Sequence, residues 1–259
     1  MDKQCLICVT YLLVDKLSRP SNQEKIRSMA VARPKKETRS AAGRTQSHTS
    51  ERILDIAERL VQTRGFNNFS YADIASELGI TTASLHYHFP GKAELGQALI
   101  TRYAQRFSNA LDQIEQAKPN ARAKLQAYAG LYADVLRGKR MCMCGILAAE
   151  YQTLPKPMRG EVIRFFDENQ EWLSQLLTEG QSDHTLTFTG AVEDVAQNIL
   201  STLEGAMLVA RPYGDLHRFN AAANQLLASL SNTEQPSRTS AGRRRGSPQP
   251  PPSDASHSS

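Results

Sequence analysis

The chain has 259 residues, 40% of them apolar, and a formal net charge of +5, which allows one large or two modest domains with a real core and excludes a wholly disordered polymer. The charge is unevenly laid out, with 10 basic and 4 acidic groups in residues 1–49, 17 and 20 in residues 50–232, and 4 and 2 in residues 233–259. The basic balance therefore belongs to the two ends, as suits an arm that touches a polyanion better than a basic globular face, and four cysteines in so long a chain exclude a disulfide framework and point to a reducing compartment.

Residues 6–14, LICVTYLLV, are the most apolar run near the start, but they are too few to cross a bilayer. Met1-Asp2-Lys3 lacks the positive n-region of a signal peptide. The expectation is a soluble cytoplasmic protein with no membrane partner. Cys5 and Cys8 have no second pair or nearby histidine to complete a zinc site. Met29 opens MAVARPKKETRSAAGR, a polar basic arm, and is a second candidate start beside a translated extension.

From Thr49 onward apolar residues recur at three and four, the period of helices, with almost no alternation of the strand kind. Thr49 or Ser50 can cap a first helix bearing Ile53, Ala57, Leu60 and Val61 on one face and ending near Gly65. Ser70 can cap a second, stopped by Gly79, and a third short one follows over 81–87 before Pro90-Gly91. Longer helices are predicted over 92–116, 122–136, 142–151, 158–179, 191–209 and 216–230, about nine in all. After residue 231 the composition turns to Ser, Pro, Gly and Arg, which lacks the apolar groups to fold. The fold class is all-α. The expected division is a basic arm (1–48), a three-helix reader (49–96), a larger helical domain (97–232) and a tail (233–259).

Ala75, Gly79 and Leu85 stand at positions 5, 9 and 15 counted from Tyr71, the spacing of a helix-turn-helix. A small Ala75 lets the two helices cross closely, Gly79 can take the positive φ of the turn, and Leu85 anchors the second helix so that its other face is free for the major groove. His86 and His88 point about 200° apart on a helix and cannot clasp one metal. No metal or cofactor is called for, and no nucleophile, base and orienting group assemble into an enzyme site.

GFNNFSYADIASELGITTASLHYHFPGKAEL, residues 65–95, resembles the DNA-binding signature of the TetR family of bacterial regulators. The resemblance is strong over residues 50–100 and beyond them extends only to helix count and length. It implies a ligand-responsive regulator: a homodimer that reads a palindromic operator in double-stranded DNA, with C-terminal helices that take a small-molecule effector. Carried over residue by residue, it puts Thr81, Thr82 and Ala83 at base edges and Ser84, His86, Tyr87 and His88 on the exposed side or end of the recognition helix. It also puts Tyr71 and Lys92 at phosphates. Many members carry a tyrosine directly after the residue matching Leu85. Here that place holds His86, with Tyr87 one step on, so the backbone contact falls to one of the two.

Residues 50–101 hold four basic groups against six acidic ones, so affinity is expected to lean on helix N-termini, hydroxyls and the arm with Arg33, Lys35, Lys36, Arg39 and Arg44. For the effector, Tyr128, Tyr132, Tyr151, Phe165 and Trp172 are candidate lining residues. Cys142 and Cys144 are candidate linings or small buried hydrophobes, and an exposed low-pKa thiol there would make an oxidant or electrophile sensor instead. A helical enzyme domain fused to a reader is the reading from a different class. Ile199, Leu203 and Met207, with Leu226 and Leu230, suit a four-helix interface between two chains, and an ordinary intrachain core is the alternative.

Overall fold

The computed structural model describes residues 41–230. The basic arm up to residue 40, the Cys5 and Cys8 pair and the tail from 231 lie outside the described residues. Among the described residues there are nine α-helices and no strands. The first, α1 (Ala41–Arg64), starts earlier than the sequence reading places it. Nothing between Ala41 and Ser50 stops a helix, since that run holds no proline and opens on two alanines. Thr49 and Ser50 therefore sit inside the helix rather than at its cap.

The next two helices have the expected caps. In α2 (Tyr71–Leu78) the Ser70 side chain accepts from the Asp73 N–H, and Asp73 accepts from the Ser70 N–H at 2.7 Å, a reciprocal capping box. Gly79 ends it at φ 67°, the left-handed conformation that a residue with a Cβ enters at a cost. In α3 (Thr82–His88) the Thr81 hydroxyl oxygen accepts from the Ser84 N–H at 3.1 Å. Leu85 is fully buried, and so is Ile74, while Ala75 is nearly so. Burying a leucine stabilises by about 1.5–3 kcal/mol, enough to hold a seven-residue helix that could not persist alone.

Then α4 (Lys92–Ala117) starts beside this trio and runs on without a break into the second half. The boundary expected near residue 96 falls inside this rigid element. The second half adds α5 (Ala121–Arg137), α6 (Met143–Ala149), α7 (Lys156–Ser182), α8 (Val192–Ala210) and α9 (Leu216–Ser229). Asn120 caps α5 through its side chain, and Asp215 caps α9. A single apolar core joins both halves.

One expectation is corrected here. Ile199, Leu203 and Met207 are fully buried, and Leu226 and Leu230 nearly so, all inside one chain. Their stripe on α8 and α9 faces the neighbouring helices of the same chain, against which α8 packs on α7 and α9 on α5. They form intrachain core and are not available to a second copy. The outward side of the same helices carries Gly205, Leu208, Val209, Ala221 and Ala228.

Candidate nucleic-acid interface and interior polar cluster

Thr81, Thr82 and Ala83 are exposed at the start of α3, and Ser84 is half-buried. On the same helix His86 and Tyr87 are both exposed, but they are placed differently. The His86 ring lies 4.7 Å from the Tyr71 ring, and its Nδ1 is 3.0 Å from the Pro90 carbonyl oxygen. A carbonyl only accepts, so Nδ1 carries the proton and His86 is folded back against its own domain. Tyr87 is 72% exposed, with its ring edge-on to His88 at 5.5 Å.

Tyr71 and Lys92 turn inward, against the expectation that each meets a phosphate. The Tyr71 hydroxyl donates to the Phe89 carbonyl at 2.9 Å, which ties the start of α2 to the end of α3. Burial, and then the charge of Glu94, push its pKa up to about 12. Lys92 Nζ donates to the Phe69 carbonyl at 2.5 Å and stands over the rings of Phe69 and Phe66 at 4.3 and 4.8 Å. Its desolvation lowers the pKa despite the attraction of Glu150 and Asp73. Of the other basic groups in this region, Arg59 pairs with Glu77 and Arg64 with Asp73. The fourth, Arg52, is exposed on α1, and the residues exposed on α3 itself offer hydroxyls, imidazole and phenol rather than cations. Among the described residues no group of three or more His, Cys, Asp or Glu is placed to hold a metal ion.

The reader is bolted to the second half by backbone contacts. Glu150, at the end of α6, accepts from the Phe66 N–H at 2.7 Å and the Asn67 N–H at 3.4 Å. Asn67 reaches on to the Thr153 hydroxyl at 2.7 Å. A Cβ on Gly65, whose φ is +91°, would stand 2.4 Å from the Glu150 carboxylate, so only glycine lets that carboxylate in. Behind them, Glu58 of α1 is buried and takes Arg102 at 3.0 Å together with Arg106, both from α4.

The other end of α6 meets a polar cluster inside the second half. Cys142 caps the helix, its Sγ accepting from the Gly145 N–H at 3.4 Å and from the Tyr103 hydroxyl at 3.7 Å. Cys142 and Cys144 are free thiols and fully buried. Burial, then the charge of Glu204, push both thiols well up, the opposite of a sensor thiolate. Glu204 of α8 is half-buried with its Oε1 fully enclosed, faces Cys142, and has its carboxyl raised by desolvation from 4.5 to about 7. The titratable groups that face it are Tyr103 of α4, Tyr128 and Tyr132 of α5, and Cys142 and Cys144.

The two tyrosine hydroxyls are 3.0 Å apart, and Tyr128 donates to the side-chain amide oxygen Oδ1 of Asn169 at 3.2 Å. Trp172 stacks on Tyr128 at 5.3 Å, and Phe165 joins through Phe107, likewise at 5.3 Å. The structure thus brings Tyr128, Tyr132, Cys142, Cys144, Phe165 and Trp172 together. It leaves Tyr151 out, half-buried under the Arg159 guanidinium at 5.6 Å. Sequence reasoning missed Tyr103, Phe107, Asn169 and Glu204.

Residues 53–99 match the family model described as bacterial regulatory proteins, tetR family. Residues 121–226 match the model described as the tetracyclin repressor-like C-terminal domain. A solved TetR-family transcriptional regulator from Agrobacterium tumefaciens is 32% identical, superposes with a TM-score of 0.70, and pairs 72% of this chain with 99% of its own. A TetR transcriptional regulator from Legionella pneumophila is also 32% identical, with a TM-score of 0.65 over 71% of this chain and 97% of the other. The HTH-type transcriptional repressor NemR of Escherichia coli (strain K12) is 27% identical over 176 residues, 64% of this chain and 86% of the relative. With the caps, turn glycine and buried anchor of a helix-turn-helix in place ahead of a helical second half, the chain belongs to the TetR family of DNA-binding transcriptional regulators.

Proposed function

We propose that the protein is a cytoplasmic repressor, not an enzyme, that holds a palindromic operator as a homodimer and lets go when a small molecule enters its second half. The observation that carries this is α6. One seven-residue helix meets the Cys142–Glu204 pair at one end and holds the Phe66–Asn67 turn of the reader through Glu150 at the other. A guest that displaces Glu204 or the rings around it moves α6, and Glu150 passes that movement to α1 and α2. The effector-bound state then holds the two recognition helices away from the spacing of roughly 34 Å between successive major grooves.

Thr81, Thr82 and Ala83 read base edges in this scheme, with Ser84 and His88 beside them. Tyr87, 72% exposed on the recognition helix, supplies the backbone contact. The second copy seats on the outward side of α8 and α9, where Gly205, Leu208 and Val209 are exposed. With Lys92 turned inward and Arg59 and Arg64 in ion pairs, much of the salt-dependent affinity comes from the basic N-terminal arm.

The test is a fluorescence anisotropy titration of the full chain on duplex DNA from upstream of its own gene, with salt and candidate ligands varied. Tight binding at two protomers per palindrome, weakened by ligand, is the expected result. Removing residues 1–40 should flatten the salt dependence while leaving site preference unchanged. Equal affinity for the palindrome and for a scrambled duplex would sink the proposal.

A further inference from the structure

Three buried polar atoms among the described residues have no hydrogen-bond partner: Arg102 Nε, whose guanidinium is already paired with Glu51, Asp55 and Glu58 through its other nitrogens, and, deeper in the second half, the Glu204 Oε1 acceptor and the Trp172 Nε1–H donor. An orphaned buried carboxyl oxygen costs free energy, and leaving it so in a finished core points to a partner that arrives from outside. What surrounds it limits that partner. The Glu204 carboxylate is pressed so closely on α6 that a Cβ on Gly145 would meet it at 2.4 Å. Phenol and thiol groups of Tyr103, Tyr132 and Cys142 face it, and the Tyr128–Trp172 stack leads away from it. Trp172 in turn edges an open groove on α7 that is lined by Asp167, Glu168 and Glu171. Between that acidic groove and the unmet oxygen of Glu204 lie the stacked rings of Trp172 and Tyr128.

We infer that the effector is a small organic cation whose ammonium group meets the Glu204 carboxylate and whose body lies along the Tyr128–Trp172 rings. This rests on the reading that the second half takes an effector, and it names the chemistry. A cation satisfies Oε1 and is attracted by the negative faces of the rings. An anion is repelled by the acidic groove and by Glu204, and a purely apolar guest leaves the oxygen as it was. Ring centroids in the cluster stand 5.3–6.4 Å apart, so a guest has to part them. Entry is therefore coupled to movement of α5, α7 and, through Gly145 and Cys142, of α6.

The chain has one tryptophan, so the emission of Trp172 reports binding directly. The full-length protein is titrated with benzyltrimethylammonium, with its neutral carbon isostere neopentylbenzene, and with phenylacetate, in wild type and Glu204→Gln. The ammonium compound is expected to saturate the signal and to bind tighter than its isostere by about tenfold or more, with phenylacetate weakest. Glu204→Gln should erase most of that preference while keeping the helical circular dichroism of the wild type. Equal binding of cation and isostere, an unchanged preference in Glu204→Gln, or no saturable binding of the cation would each overturn the inference.

The same probes added to the DNA complex separate this inference from the proposed function. A cation that binds through Glu204 without releasing DNA removes the release mechanism and leaves the ligand chemistry standing. Release by compounds indifferent to Glu204 does the reverse.

Discussion

The reader and the second half bury polarity in opposite ways. In the reader each polar group near the core has a structural partner: Ser70 with Asp73, Tyr71 with the Phe89 carbonyl, Lys92 with the Phe69 carbonyl. In the second half Glu204 and Trp172 keep an atom unmet, and Glu204 holds its proton to about pH 7. A domain whose polar groups are all answered has one stable arrangement. A domain with open valences gains when something supplies them, which is how a ligand comes to shift an equilibrium. The lesson is that rigidity was placed where the groove is read, and conditional stability where the signal enters.

The contrast breaks first at Leu85, the fully buried anchor of α3. Leu85→Ala should cost about 2–5 kcal/mol of stability and abolish operator binding, measured by urea denaturation and by anisotropy. Operator affinity within a few-fold of wild type would mean that α3 does not depend on its anchor.

In the second half the matching test is pH. Glu204 carries a carboxyl raised from 4.5 to about 7, so between those values the folded chain keeps a proton that the unfolded chain has released. Stability from this group is full below about pH 4.5 and is lost as pH rises through about 7, a total of about 3 kcal/mol at 1.36 kcal/mol per unit. Asp73 and Asp183, held low by hydrogen bonds from Ser70 and Thr185, act in the opposite sense, losing their contribution as pH falls below about 4. Urea melts of wild type and Glu204→Gln at pH 5 and pH 8 should therefore diverge, the variant gaining on wild type at the higher pH. Parallel melts at both values would show that Glu204 is not desolvated in solution.

Glu150 joins the two regions, and its removal should loosen both. Glu150→Ala leaves the Phe66 and Asn67 N–H groups without their carboxylate, a loss of about 1.5–3 kcal/mol for a charge-assisted bond. Operator affinity should fall by about tenfold, and a bound ligand should release less of the remaining complex, because its signal no longer reaches the reader. Anisotropy with and without ligand measures both. Wild-type ligand response in this variant would put the coupling elsewhere, with the Glu58 pair to Arg102 and Arg106 as the next candidate.

The same asymmetry explains what the sequence disclosed. The reader was legible because its rules are local: Ser70 with Asp73 three residues on, Gly79 at the stop, and Thr81 as a cap are all short-range chemistry. The start of α1 was misplaced because a capping residue was available at Thr49 and Ser50, yet nothing upstream broke the helix. In the second half the helices could be counted, but the partners of their faces could not. The apolar stripes of α8 and α9 read equally well as dimer interface or as core, and only the packed chain assigns them to core. Glu204 did leave a trace, since it sits four residues after Leu200 and three before Met207, on the flank of a buried stripe. So did Asn169, between Phe165 and Leu173 on α7. A polar residue in register with an apolar face was the usable signal, and Gly145 and Tyr103, far apart in the chain, were not.

The smallest effect separates two neighbours on α3. Both are exposed, Tyr87 to 72% with its ring against His88, and His86 with its ring against Tyr71 and its Nδ1 at the Pro90 carbonyl. Tyr87→Phe removes one hydroxyl, so it should weaken operator binding by about three- to tenfold, equivalent to about 0.6–1.4 kcal/mol. His86→Ala should instead lower the midpoint, because it removes a ring contact and a hydrogen bond inside the domain, with any loss of affinity following from that. A hydroxyl bond to a phosphate carries no sequence information, so Tyr87→Phe should weaken cognate and scrambled duplexes alike. The opposite pattern, affinity lost at His86 with the midpoint intact and Tyr87→Phe silent, would give the backbone contact to the imidazole and require His86 to swing off Tyr71 when DNA is bound.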